Sequence, residues 1–184
     1  HLAPGSHALL TMPGASKFYR SIGPTARLAQ HFHLGAGSTL EWLPQDSIFF
    51  SGARASLDSR FTLAPGARLL AWETLCLGRP VMNEQFLQGA LDSRLRIELP
   101  GEPGLHERLR ITGGRLQKLG GSPPLATPSA APADQHTLDQ VRPLPAPLAN
   151  PGGAPLPGSL LVPPLPDHDN QHLQPTLQCL RRAR

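Results

Sequence analysis

Cysteine and aromatic residues are scarce in this chain. Two of its 184 residues are cysteine, Cys76 and Cys179, far apart and outside any CxxC pair. That spacing excludes both the disulfide framework of a small secreted domain and a zinc site of the usual kind, and it fits a reducing, cytoplasmic compartment. Aromatics make up 5% of the sequence, with one tyrosine and two tryptophans. No aromatic platform alternates with the arginines, so the net charge of +4 reads as a solvated basic face and no nucleic-acid partner is expected. There is no run of eighteen apolar residues and no basic-then-apolar leader, so neither membrane insertion nor secretion is expected. GxSxG, a P-loop, a dinucleotide fingerprint and a Ser-His-Asp order are all missing, and no residue is assigned a catalytic role.

What the chain does have is a repeat. Leu2-Ala3-Pro4-Gly5-Ser6-His7-Ala8, Leu34-Gly35-Ala36-Gly37-Ser38-Thr39-Leu40 and Leu63-Ala64-Pro65-Gly66-Ala67-Arg68-Leu69 align without gaps, 32 and then 29 residues apart. Phe32 and Phe61 stand two residues ahead of the leucine in the second and third copies; in the first copy that position would precede His1, so the chain starts inside a coil. A strand, a glycine corner and a strand repeating at about thirty residues predict stacked β coils, because one coil cannot bury its apolar face alone. Three ordinary turns in an all-β domain give the same fold class.

The intervening segments alternate as strands. Ala55, Leu57, Phe61 and Leu63 interleave with Ser56, Asp58, Arg60 and Thr62. Leu95, Ile97 and Leu99 interleave with Arg94, Arg96 and Glu98; a turn at 100–104 follows, and then Leu109 and Ile111 among Arg108, Arg110 and Thr112. This predicts a hairpin with a basic outer surface. After Gly121 the composition shifts, with fourteen of the 22 prolines in the last 64 residues. The expected organisation is a β-rich body over 1–119 and a proline-rich segment over 120–184. That segment should be weakly ordered, with a terminal helix on Leu173, Leu177 and Leu180. The fold class is therefore mainly β, with stacked antiparallel or β-helix-like strands and a small helical part at the C-terminal end.

Candidate chemistry rests on acids. In 68–77 the odd positions are Leu69, Ala71, Glu73, Leu75 and Leu77, which puts a carboxylate in an apolar row. An ionised acid there is costly unless it is paired or metal-bound. The structural alternative is an ion pair with Arg79 or Arg54. Glu41, Asp46 and Glu84 would join Glu73 in one oxygen-rich cluster if the coils stack in register. His31 and His33 share a strand face able to bind nickel or zinc; His168 and His172 have helical spacing where a helix is doubtful.

Several unusual motifs stand in consistent order between His1 and about Leu119. They are Pro13-Gly14-Ala15-Ser16-Lys17-Phe18-Tyr19-Arg20-Ser21, Gln30, the segment Leu40-Glu41-Trp42-Leu43-Pro44-Gln45-Asp46-Ser47-Ile48-Phe49-Phe50, and Leu77-Gly78-Arg79-Pro80 with Glu84-x-Phe86. In these the chain resembles urease accessory proteins of the UreD/UreH type. The resemblance implies a non-catalytic scaffold for urease maturation that binds apo-urease and an F-type accessory protein, which recruits a G-type GTPase. It also implies no tightly bound cofactor, with nickel(II) passing transiently through the interior. Glu41, Asp46, Glu73 and Glu84 are then expected on the metal route, and Lys17, Phe18, Tyr19, Arg20, Trp42 and Arg79 at partner contacts. The family's glycine-rich N-terminal segment is missing before His1, and prolines stand where its later strands usually occur. A carbohydrate-active β-solenoid using paired carboxylates is the alternative, and a basic nucleic-acid-binding module comes third.

Overall fold

The computed structural model describes residues 1–79, 82–115, 124–133 and 158–161. Its elements are strands: β1 (His7–Thr11), β2 (Ser16–Phe18), β3 (Ala26–Leu34), β4 (Thr39–Leu43), β5 (Ser47–Phe49), β6 (Arg54–Leu63), β7 (Arg68–Arg79), β8 (Glu84–Gln85), β9 (Ala90–Leu99), β10 (Glu102–Thr112), β11 (Pro124–Ala133) and β12 (Gly158–Leu161). The repeat is the coil. His7 pairs in parallel with Thr39, and Thr39 with Arg68, so neighbouring coils are offset by the repeat's own spacings of 32 and 29 residues.

The corners stack as well. Gly5 N–H donates to the Ala36 carbonyl at 2.8 Å, and Gly37 N–H donates to the Pro65 carbonyl at 3.0 Å. Gly5, Gly37 and Gly66 have φ of 67°, 65° and 72°, a left-handed backbone that costs glycine little and a side chain more.

Each coil contributes to two facing sheets. One carries β1, β4 and β7 side by side, with β2 and β5 continuing β1 and β4; the other runs β3-β6-β9-β10. The first three strands of the second sheet are parallel, whereas β10 folds back antiparallel as the predicted hairpin. The mainly β, coil-stacked architecture read from the sequence is therefore the one observed. Equivalent rings lie on one another between coils: Phe32 on Phe61 at 4.9 Å and Phe18 on Phe49 at 4.7 Å. Phe49 and Phe61 are fully buried, each contributing roughly 1.5–3 kcal/mol through apolar area removed from water.

Part of the proline-rich segment belongs to this body. β11 pairs antiparallel along β7, placing Thr127 opposite Glu73, and β12 pairs with β11. The expected terminal helix on Leu173, Leu177 and Leu180, and His168 and His172, lie outside the described residues. Among the described residues no helix is long and apolar enough to cross a membrane.

Candidate functional site

The sheet containing β7 has a notch. β7 runs unbroken from Arg68 to Arg79, but in the coil beside it β4 stops at Leu43 and β5 starts at Ser47, and in the outermost coil β1 stops at Thr11 and β2 starts at Ser16. Register counts the surplus. Trp42 pairs with Ala71 and Ser47 with Leu75, five steps against four; Leu10 pairs with Trp42 and Ser16 with Ser47, six steps against five. Each coil outward thus carries one more residue than its neighbour, as in a bulge, and the extra backbone leaves the ladder. Pro13 and Pro44 fall in the two breaks, where a missing N–H costs no ladder bond. Trp72 Nε1–H donates to the Pro44 carbonyl at 3.0 Å, and Ser16 N–H to the Asp46 carbonyl at 2.9 Å, fixing the lips.

Glu73 lies under this notch. It lines a cavity of about 20 Å³ together with Leu28, Gln30, Gln45, Ser47 and Leu57, room for about one water. Ser59 Oγ hydrogen-bonds Glu73 Oε1 and lies 3.4 Å from Gln30 Oε1. Burial raises the Glu73 pKa above its ordinary 4.5; the Ser59 hydroxyl opposes that, and the nearby Glu107 carboxylate adds to it. A neutral carboxyl could donate to Ser59 Oγ while that hydroxyl donates to Gln30, a satisfied chain with no net charge.

Register extends the arrangement into a row that is polar except at Leu95, a member of the first apolar cluster. Gln30 pairs with Ser59, Ser59 with Leu95 and Leu95 with Glu107, all at inward positions of the second sheet, facing Glu73 and Thr127 on the first. Much of the Glu107 side chain stays exposed, yet partial burial raises its pKa too. The row lies between two apolar clusters, one around Leu40, Phe61 and Ile97, the other around Phe49, Leu77 and Phe86. Glu107 and Ser59 were not among the sequence candidates, and Gln30 was a motif residue with no role assigned. The signal was available: Glu107 interrupts Leu105, Leu109 and Ile111 just as Glu73 interrupts its own row.

A single cluster of Glu41, Asp46, Glu73 and Glu84 does not form. Leu40 and Trp42 face the core, so Glu41 sits on the opposite face of the sheet from Glu73, buried, with His7 Nε2 3.0 Å from its Oε1. Asp46 lies in the break near Cys76; burial raises its pKa, while burial first and Asp46 second raise that of the Cys76 thiol. Glu84 is at the rim, paired with Arg79. The Ser51 N–H at 2.9 Å is the largest influence on it, and with Arg79 it holds the Glu84 pKa below the ordinary value. Arg79 is thereby engaged away from Glu73, whose partner is a serine and not the arginine of the ion-pair alternative. Among the described residues no group of three His, Cys, Asp or Glu side chains is placed to hold a metal.

A sequence model of the UreD urease accessory protein family matches residues 1–184. The chain belongs to the UreD urease accessory protein family. It is 79% identical over 180 residues to the urease accessory protein UreD of Pseudomonas putida (strain W619), covering 98% of this chain and 65% of that protein. It is 50% identical over 184 residues to the protein of the same name in Enterobacter sp. (strain 638), covering 98% and 67%, and 50% identical over 162 residues to that of Klebsiella aerogenes, covering 88% and 60%. The chain thus spans about 65% of the length of the first of these UreD relatives. The family description is that of an accessory protein and not of an enzyme.

The UreD motif residues expected at partner contacts divide between surface and core. Lys17, Tyr19 and Arg20 are exposed, Phe18 is half-buried against Phe49, and Trp42, 6% exposed, packs in the core where no partner can reach it. Tyr19 tilts over Phe50 at 4.7 Å and the Arg79 guanidinium sits 4.6 Å above the same ring. Ile22, Met82 and Leu87 are exposed on the turn and loop beside them. Hydrogen bonds from Ser21 N–H to the Gly52 carbonyl and from Gly52 N–H to the Gln88 carbonyl tie these segments into one corner.

Proposed function

We propose that the chain is the coil-stacked part of a cytoplasmic urease maturation factor: a scaffold that presents apo-urease to an F-type accessory protein and its G-type GTPase while nickel(II), the cargo, passes through its interior. Supporting this are membership of the UreD family and, in the molecule itself, one observation that carries the reading: Glu73 faces inward beneath a break in the sheet. A carboxylate with amide and hydroxyl oxygens around it holds a divalent first-row ion more weakly than imidazole or thiolate would, which suits hand-over and not storage. Burial favours the protonated form of this carboxyl, and a proton can be exchanged for the arriving cation, which lowers the cost of an empty route. The corner of Tyr19, Phe50 and Arg79, with exposed Ile22, Met82 and Leu87 around it, supplies the aromatic and arginine anchors typical of protein interfaces.

The test is Glu73→Ala in the full-length protein, expressed in cells lacking the natural copy. Urease nickel content is expected to fall severalfold while the complex with urease still purifies. Unchanged nickel content removes Glu73 from the route; loss of the complex makes Glu73 structural. A Tyr19→Ala, Met82→Ser, Leu87→Ser variant is expected to do the reverse, losing partner capture with the fold intact by circular dichroism.

A further inference from the structure

The outward face of β3-β6-β9-β10 is the opposite of the interior row in every respect. Its side chains form cross-strand ranks: Arg27, Ser56, Asp92 and Arg110; then Ala29, Asp58, Arg94 and Arg108; then His31, Arg60, Arg96 and His106. With Arg54 and Glu98 included, the face holds seven arginines and three carboxylates, a surplus of four. That surplus equals the formal charge of the whole chain, whose remaining ten basic and ten acidic residues cancel. Among the described residues off this face, five basic residues stand against six acidic ones, so the positive surplus of the described residues lies on this sheet.

The three carboxylates brace some of the arginines. Arg96 reaches Asp58 at 2.6 Å, Arg60 reaches Glu98 at 2.7 Å, and Arg108 grips both oxygens of Asp92 at 2.8 and 2.6 Å. Arg94 and Arg110 stand 3.6 and 3.8 Å from Asp92, too far for a hydrogen bond, and Arg27 and Arg54 have no ion pair among the described residues. Arg94 and Arg110 thus share Asp92 by charge alone, and the guanidiniums of Arg27 and Arg54 are left over on the sheet. Four strands by about nine residues give a patch of roughly 20 by 30 Å, the scale of one side of a small protein interface.

We infer that this face docks a net-acidic protein surface. The inference rests on the scaffold reading above, since it supplies a second contact for one of that scaffold's protein partners. Three features favour protein over nucleic acid: Asp58, Asp92 and Glu98 are interleaved with the arginines and would repel a continuous phosphate backbone; no Phe, Tyr or Trp on the face offers a stacking platform; and the bidentate pairs pre-arrange a mixed-charge pattern that a protein can match group for group. The absence of large apolar side chains among Ser56, Thr62, Ala29, Ala90 and Thr112 makes the recognition electrostatic, so it sets encounter rate and salt dependence more than buried area.

The experiment uses the full-length protein co-expressed with the urease structural subunits and accessory proteins, captured at a series of salt concentrations. The variant Arg27→Gln, Arg94→Gln, Arg110→Gln removes charge without stripping a hydrogen-bonded carboxylate, and Arg68→Gln, Arg115→Gln serves as a control off the face. Capture by the triple variant is expected to weaken at least about tenfold near 50 mM salt and to lose most of its salt dependence, while the control matches wild type. Wild-type capture with an unaffected triple variant overturns the docking face and leaves the scaffold reading standing. If the wild-type protein captures none of the urease proteins, the scaffold reading and this inference fall together. Arginine-dependent binding of a 30-base-pair duplex, without loss of protein capture, assigns the face to nucleic acid and overturns the inference.

Discussion

Glu73 and Asp92 are both strand carboxylates facing one layer of sheet, and their surroundings drive them in opposite directions. Glu73 lies under the notch with one hydroxyl donor, and burial raises its pKa above 4.5. Asp92 lies on the outer face with Arg108, Arg94 and Arg110 around it; the Arg108 hydrogen bonds act most, and the pKa falls from 3.8 to about 2. Carboxyls in one fold thus do two jobs. Inside, burial favours the protonated carboxyl that the proposed hand-over would exchange for a cation; outside, a carboxylate ionised down to about pH 2 holds guanidiniums in place.

The largest effect is expected from removing the wall between the two regions. Phe61 is fully buried, stacked on Phe32, and belongs to the apolar cluster on one side of the polar row. Phe61→Ala is expected to cost about 3–5 kcal/mol in urea unfolding. A loss under about 1 kcal/mol would mean that the coils do not rely on their aromatic stack.

Glu73 also couples stability to protons. Because the folded-state pKa of Glu73 lies above its unfolded value, the native state binds more protons between those two values, and stability falls as pH rises through that window. Glu73→Gln removes this dependence. The variant is expected to gain on wild type as pH rises through and above the ordinary glutamate range, in thermal melts across pH. A difference that shrinks over that range would contradict the assigned direction.

Asp92 supplies the smallest effect, with the opposite sign. Its depressed pKa contributes stability that is fully present above 3.8 and is lost as pH falls toward about 2. Asp92→Asn is expected to cost at most about 1 kcal/mol at neutral pH, since the pairs sit at the surface, with the cost fading in acid or in 1 M salt. A salt-insensitive loss of several kcal/mol would show the outer ladder to be part of the core's support.

Much of this contrast was legible in the sequence. The 32- and 29-residue spacings are the inter-coil register itself, and strict alternation in 68–77 put Glu73 inside. The same alternation held for Glu107 and Ser59, which the arginines around them obscured. The side of the sheet taken by Glu41 was harder to read, because apolar residues occupy both parities of Thr39–Leu43. Asp46 was harder still: the surplus residue in the break resets the parity, and a surplus exists only relative to the neighbouring coil. β11 carries Pro124, Pro128 and Pro132 and looks like linker alone; its identity as a strand comes from pairing with β7.

The proposed route depends on Glu73 being an inward carboxyl under the break whose pKa burial raises above the ordinary value. A carbon-detected NMR titration of the glutamate carboxyls, with Glu73→Gln giving the assignment, tests it directly. The account predicts that the Glu73 signal titrates above 4.5, and that sub-stoichiometric nickel(II) broadens it before the rim carboxyl of Glu84. Titration at or below 4.5, with nickel acting first on Glu84, would contradict it.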